Sequence, residues 1–237
     1  MQPIIERLQA KDWTRAATHL HEQGYALVPG VLNKKECDTL IAAYEADNTY
    51  RKTITMERYR FGKGEYKYFR YPLPDLITTI RQTVYPYLVP IANKWMEVLN
   101  IPQTFPVAHT ALQALCKEHG QTQPTILILK YGEGGFNTLH QDLYGDVYFP
   151  MQAVLFLNEA GEDYTGGEFV LTEQIPRAQS KANVLQPRRG DMLLFTTNFR
   201  PVKGSKGYYR VNMKHGVSPL HNGQRYTLGI IFHDAQT

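Results

Sequence analysis

Cysteine is scarce in this chain: Cys37 and Cys116 are the only two among 237 residues. Two thiols cannot build a disulfide framework, so a packed core must hold the fold, and a reduced, cytoplasmic setting is expected. Long apolar runs are also missing. None approaches the roughly 20 residues that cross a bilayer. The opening MQPIIERLQAKDW has no apolar stretch of signal-peptide length. A secreted or membrane role is therefore not expected, and no feature calls for an obligate protein partner. There is no internal repeat and no low-complexity tract.

What is present is an ordinary globular composition, 43% hydrophobic and 20% charged. The length suits a single domain, 1–237, with a real core. The net charge is +4. Between Tyr50 and Tyr71 stand Arg51, Lys52, Arg58, Arg60, Lys63, Lys67 and Arg70, against only Glu57 and Glu65. That is a surplus of five, which leaves the rest of the chain near −1. The positive charge thus reads as concentrated in one segment, pointing to an anionic partner.

The first half, 1–120, reads as mainly helical support. One polar helix is expected over 4–23, with Gly24 as its C-cap. A short strand covers 25–31. Asn33 and Glu36 form a capping-box pattern for a helix ending near Asn48. Residues 50–71 alternate aromatic and basic side chains and contain Gly62 and Gly64, which suits a hairpin or mobile loop. A helical region runs from Asp75 to about Leu99, with a break expected at Pro86 or Pro90. Residues 108–119 read as a short helix that could also carry strand. From about 121 the pattern changes to short strands, at 125–131, 152–158, 167–172, 191–195 and 225–232, separated by turn residues. A β-sandwich or barrel follows, with the helices packed around it.

The chemistry centres on His140, Gln141 and Asp142. On extended backbone, residues two apart share a face, so His140 and Asp142 can reach one ion. His215, 73 residues beyond Asp142, is the best third ligand for a 2-His-1-carboxylate triad, which leaves open positions on Fe(II). Alone, such a pair is more often a surface turn. Arg225 opens the last apolar strand, and Thr227 faces the same way. A guanidinium inside a barrel is costly unless it meets an anion, and a dicarboxylate would supply one. The alternative is a structural pair with Asp or Glu. Tyr131 could bond the same carboxylate, or be a core tyrosine at a strand end. His221 is expected in a turn. His233 is either beside the site or exposed, and His109 and His119 are structural or solvated.

Taken together, Tyr131 to Asp142, Gly166 to Phe169, Gly190 to Phe195, His215 to Val217 and Arg225 to Leu228 resemble the Fe(II)/2-oxoglutarate-dependent dioxygenase superfamily in order and spacing. The resemblance covers about 125–234. It implies an α+β fold whose C-terminal half, 121–237, is a double-stranded β-helix (jelly-roll). It also implies that His140, Asp142 and His215 bind Fe(II), that Arg225 binds the far carboxylate of 2-oxoglutarate with help from Tyr131 and Thr227, and that O2 is consumed, with ascorbate a candidate reductant. The closer similarity is to AlkB-type dealkylases and a bacterial branch described as acting on damaged nucleic acid. AlkB-type enzymes carry a second arginine six residues after the first, where this chain has Ile231.

For the substrate, single-stranded or damaged nucleic acid would use Arg58, Arg60, Lys63, Lys67 and Arg70 on phosphates, and Tyr66 and Tyr68 on bases. Tyr50, Tyr59, Phe61, Phe69 and Tyr71 are further stacking candidates. The same segment would also suit an acidic protein substrate, because the Gly166–Phe169 motif and the spacing from His215 to Arg225 are similar to prolyl hydroxylases. A small-molecule oxygenase remains an alternative, and a non-catalytic jelly-roll binding module is the reading outside enzymes.

Overall fold

The computed structural model describes residues 2–175 and 177–237. The helices are α1 (Ile4–Gln9), α2 (Trp13–Gln23), α3 (Lys34–Ala42), α4 (Asp75–Val98) and α5 (His109–Glu118). The first half also holds β1 (Tyr25–Val28), β2 (Tyr50–Thr55), β3 (Gly62–Lys63) and β4 (Glu65–Phe69). The second half holds β5 (Leu127–Tyr131), β6 (Phe136–His140), β7 (Met151–Phe156), β8 (Tyr164–Gly166), β9 (Phe169–Gln174) and β10 (Lys181–Leu185). It ends with β11 (Met192–Thr196), β12 (Phe199–Gly204), β13 (Gly207–Val217), β14 (Leu220–Gly223) and β15 (Arg225–Ile231).

Two antiparallel sheets carry the architecture. The larger runs β1-β11-β7-β15-β5-β4-β2, and the smaller runs β10-β9-β13-β6-β3, with β12 also paired to β13. A two-stranded sheet joins β14 to β8. Side chains alternate along each strand, and this alternation sorts the molecule into layers. From β7, Met151, Ala153 and Leu155 join the core made with α1, α2 and α4. Val154 and Phe156, one position over, join Phe169, Leu171, Val211 and Met213 between the two sheets. Strand β7 is buried at every position, which explains why it reads as a continuous apolar run.

The capping box at Asn33 and Glu36 is present in both directions, the Asn33 carboxamide accepting from Glu36 N and the Glu36 carboxylate from Asn33 N. Asn33→Ala should cost about 1 kcal/mol, read as a lower urea midpoint at unchanged slope.

Several expectations are corrected. The 4–23 helix is two helices, because the Asp12 carboxylate accepts from Arg15 N and starts α2 afresh. Helix α3 stops at Ala42 and the chain continues in 3-10 turns to Thr49. Helix α4 is not broken at Pro86 or Pro90. Both prolines are exposed, so the carbonyls they leave without a donor, four residues earlier, lie on the solvent side. The opposite face buries Ile77, Ile80, Val84, Leu88, Val89 and Trp95, which offsets the ~3 kcal/mol that a helical proline costs. His221 lies on β14 rather than in a turn. The positive charge is not confined to 50–71 either: residues 199–214 hold Arg200, Lys203, Lys206, Arg210 and Lys214, with no acid.

His109 is structural, as one of the two readings had it. Its Nε2 donates to the Phe232 carbonyl at 2.9 Å, and Nδ1 is buried with no partner among the described residues. Burial, helped by the Arg81 charge, pushes its pKa down to about 3. The unfolded chain, with an ordinary histidine near 6.5, therefore binds more protons between pH 6.5 and 3. Stability should fall as pH drops through that window, by up to ~1.4 kcal/mol per pH unit for this one group. In urea titrations across pH 6.5 to 4, His109→Gln should flatten that acid limb.

Candidate active site

A pocket of about 270 Å³ opens between the two sheets. Its lining follows from strand alternation. From β15, Arg225, Thr227, Gly229 and Ile231 face it, and from β5, Leu127, Leu129 and Tyr131. From β7 it takes Gln152, and from β13 His215 and Val217. Backbone pairing sets Arg225 opposite Tyr131 and Ile231 opposite Gln152.

His140 and His215 are register partners on neighbouring strands, with ring centroids 4.2 Å apart. Register slips between His215 and Val217. At Gly216 a Cβ would come within 2.7 Å of the Asn137 carbonyl, so this irregularity needs glycine. Asp142 completes the group. Its Oδ2 lies 3.2 Å from His215 Nε2 and its Oδ1 3.7 Å from His140 Nε2. One donor atom from each residue falls within 4.8 Å of the others. Facial donors around a single ion, each about 2 Å from it, lie roughly 3 Å apart, so this set fits one divalent metal.

The surrounding bonds prepare each donor. The His140 Nδ1–H donates to the Thr138 carbonyl at 2.7 Å, which leaves Nε2 free to ligate. Burial, with the neighbouring His140, lowers the His215 pKa and outweighs Asp142, which raises it. The neutral imidazole is favoured. Burial pushes the Asp142 carboxyl up, but the hydrogen bond from His215, the electrostatic pull of the two imidazoles and the Gln152 amide outweigh it and hold the group below the usual carboxylate range. Both carboxylate oxygens accept hydrogen bonds, Oδ1 from the Tyr144 phenol at 3.0 Å and Oδ2 from Gln152 Nε2 at 2.8 Å.

Arg225 is 1% exposed, and none of its three guanidinium nitrogens has a hydrogen-bond partner among the described residues. The rings of Tyr131 and Phe156 stand at 5.6 and 5.3 Å, and the Tyr164 phenol is also beside it, burial raising its pKa against the pull of the Arg225 charge. No Asp or Glu among the described residues pairs with it. A buried, unpaired guanidinium costs several kcal/mol, so this position calls for an anionic ligand. Thr227 is buried beside it on the same strand face. Burial raises the Tyr131 phenol to about 12, against the pull of Arg225, and its hydroxyl accepts from Asn137 Nδ2 at 3.3 Å.

Within residues 50–71, β2 and β4 pair as a hairpin on the larger sheet, and β3 between them pairs with β6 of the smaller one. Of the seven substrate residues expected there, only Tyr66 lines the pocket; Phe61 joins it from the same segment. Tyr68 is buried and donates to the Tyr144 hydroxyl at 3.3 Å. Lys67 lies over the Tyr44 ring at 4.3 Å and bonds its carbonyl, Arg70 bonds the Tyr50 carbonyl, and Lys63 the Glu133 carbonyl. Arg58 and Arg60 are exposed, flanking a stacked pair made by Tyr59 and Phe61. Gln152 and Tyr144 were missed in the sequence. A lone amide in an apolar strand is a signal that would have found Gln152. Tyr144 repeats the two-residue step from Asp142. His233 is fully buried, its Nδ1 accepting from Phe149 N at 3.1 Å, so the exposed reading of it is wrong.

Residues 64–235 match a family described as "Oxygenase, catalysing oxidative methylation of damaged DNA". An uncharacterized protein of Mycobacterium tuberculosis, in strains CDC 1551 and H37Rv, is 45% identical over 167 residues, 70% of this chain and 72% of the relative. Among solved structures, a Pseudomonas putida prolyl-4-hydroxylase has a TM-score of 0.55 at 15% identity, covering 92% of this chain and 96% of its own. A Burkholderia pseudomallei oxidoreductase of the 2OG-Fe(II) oxygenase family has a TM-score of 0.54 at 15% identity, covering 94% and 92%. A Trichoplax adhaerens prolyl hydroxylase in complex with a peptide of hypoxia inducible factor scores 0.54 at 14% identity, covering 97% and 91%. Fold and site together define an oxygenase, an enzyme of the oxidoreductase class, built on the fold of the 2OG-Fe(II) oxygenases. The chain belongs to the damaged-DNA oxygenase family whose pattern it matches.

Proposed function

We propose that this protein is an Fe(II)- and 2-oxoglutarate-dependent dioxygenase that oxidises a methyl group on single-stranded or damaged nucleic acid. The observation that carries the reading is the unpartnered guanidinium of Arg225 at the wall of the same pocket that holds His140, Asp142 and His215. His140, Asp142 and His215 would hold the iron. Arg225 would grip the far carboxylate of 2-oxoglutarate through its two-pronged fork, with Thr227 and Tyr131 beside it. Bound iron, 2-oxoglutarate and O2 would supply the oxidising power, ending in oxygen insertion at a C–H bond, with succinate and carbon dioxide as coproducts. A hydroxylated N-methyl group then leaves as formaldehyde.

The protein's part is positioning. Tyr144 and Gln152 each hold one oxygen of Asp142 and so orient it. Phe169 and Phe195 pack against His215 at ring centroid distances of 5.9 and 4.8 Å and keep that ligand dry. Ile231, where AlkB-type enzymes have arginine, presents an apolar wall, so Arg225 is the sole arginine lining the pocket among the described residues. We read the two facing sheets as a double-stranded β-helix and the chain as one catalytic unit, since a single core cluster takes side chains from α1 and from β15. Both cysteines are free and buried and, among the described residues, no helix is long and apolar enough to cross a membrane; the thiols support a reducing compartment.

The test is succinate formation by anaerobically iron-loaded protein, with and without a methylated single-stranded oligonucleotide, using His140→Ala as the blank. Stimulation with loss of the methyl group is expected. Turnover that the oligonucleotide leaves unchanged would keep the enzyme class and direct the substrate search to proteins and small molecules.

A further inference from the structure

Strands β12 and β13 form a hairpin that neither the metal group nor the 50–71 segment accounts for. Residues 199–214 carry five basic side chains and no acid. One of the five, Arg200, is buried against Glu173 at 2.9 Å. Lys203, Lys206, Arg210 and Lys214 are exposed and form no ion pair among the described residues. Tyr208 and Tyr209 are 47% and 37% exposed on the same hairpin. Like charges crowded on one ribbon repel each other unless an anion neutralises them. A ribbon that adds exposed aromatic rings suits a polyanion carrying stackable bases.

The root of this hairpin is at the active site. Strands β6 and β12 share β13 as their neighbour, with His140 opposite His215 and Phe199 opposite Asn212. Gln141, between the two outer metal-site residues of its segment, donates to Asn198 O, Asn198 Oδ1 and Met213 O at 3.0, 2.9 and 2.8 Å. The Arg210 guanidinium lies over the Phe199 ring at 4.4 Å. At a strand rise of about 3.3 Å per residue, Arg210 stands roughly 17 Å along the strand from His215 and on its opposite, solvent face, so a few nucleotides would reach it by passing round the β12 edge. The other flank of the pocket is the 58–61 tip, fastened where Thr138 N and Oγ1 both donate to the Phe61 carbonyl at 2.8 Å. There too Arg58 and Arg60 are exposed beside stacked rings.

We propose that the β12–β13 hairpin is a second nucleic-acid contact, in which Lys203, Lys206 and Arg210 hold the phosphates flanking the base in the pocket while Tyr208, which shares the face of Lys203 and Arg210 by register, stacks on a neighbouring base. The proposal rests on the nucleic-acid reading above and adds where the strand runs: from the 58–61 tip, across the pocket mouth, onto the hairpin.

Oligonucleotide length separates this contact from the pocket. Fluorescence anisotropy would compare a methylated single-stranded 12-mer with a 3-mer, on wild type and on the combined variant Lys203→Gln, Lys206→Gln, Arg210→Gln. The three side chains are exposed and Arg210 gives up only its contact with the Phe199 ring, so the melting temperature should fall by no more than about 4 °C. The 12-mer should bind at least tenfold more weakly to the variant. The slope of log affinity against log salt should flatten by about 2, since each phosphate contact on a single strand contributes ~0.7. The 3-mer should bind both proteins alike, and Lys203→Arg with Lys206→Arg should keep wild-type binding of the 12-mer. Equal 12-mer affinity and salt slope in variant and wild type would overturn the hairpin contact while leaving the nucleic-acid reading in place. Failure of wild type to bind either oligonucleotide would overturn that reading, and this proposal with it.

Discussion

Replacing Asp142 with alanine is expected to reduce succinate formation to the level of the iron-free protein. Iron binding should weaken at least 100-fold, the upper range for losing even an outer partner of a metal ligand. The expectation follows from the carboxylate's position. It is the single acidic member of the group, and it sits 3.2 and 3.7 Å from the two histidine Nε2 atoms. Without it, two neutral imidazoles would face a dication with no counter-charge. The Tyr144 phenol and the Gln152 amide would each lose their acceptor on Asp142. Asp142→Asn keeps the shape and removes the charge, so it should fail nearly as badly. Anaerobic titration with Fe(II) and a succinate assay read the two effects separately. Undiminished turnover in Asp142→Ala would show that this group is not the metal site.

Arg225→Met should have effects of opposite sign on stability and on catalysis. In the protein without cosubstrate, the guanidinium is buried and has no carboxylate partner among the described residues; the faces of Tyr131 and Phe156 and the nearby Tyr164 phenol relieve it in part. Replacing buried charge with an apolar side chain of similar volume is worth about 1–4 kcal/mol. At ~2–4 °C per kcal/mol for a chain of this length, the variant should melt several degrees higher. The same change removes the anchor for the far carboxylate, so the 2-oxoglutarate requirement should rise about 100-fold or more, as expected when a buried charge-assisted fork is lost. The stabilisation that 2-oxoglutarate gives to wild type should vanish as well. Arg225→Lys keeps the charge without the fork and should fall between the two. A variant that melts lower while needing no more 2-oxoglutarate would mark Arg225 as structural.

The elements that were legible are those with one dominant local signal. Strands β5, β7, β11 and β15 lie in the larger sheet between two packed layers, so their apolar runs stand out. The Asn33 and Glu36 capping box depends on residues three apart and was readable for that reason. Strand β13 was not read, although it is the longest strand described and carries His215. One of its faces is solvated, and its lysine, arginine and two glycines dilute any apolar pattern. The proline break in α4 was expected from local chemistry, and tertiary packing overrode it.

For the site, the sequence by itself determined the donor types and one shared face. His140 and Asp142 are two residues apart, and Arg225 and Thr227 share the alternation of an apolar strand. Only the tertiary structure decided that His215 meets His140, because cross-strand register brings together residues 75 positions apart. It also brought Gln152 and Tyr144 to the two oxygens of Asp142 and withheld any partner from Arg225. It turned Lys67 and Arg70 onto backbone carbonyls away from the pocket, and set an acid-free hairpin beside the metal group. The physical reason is that strand alternation sets a side chain's face locally, whereas its partners depend on pairings closed over long stretches of chain.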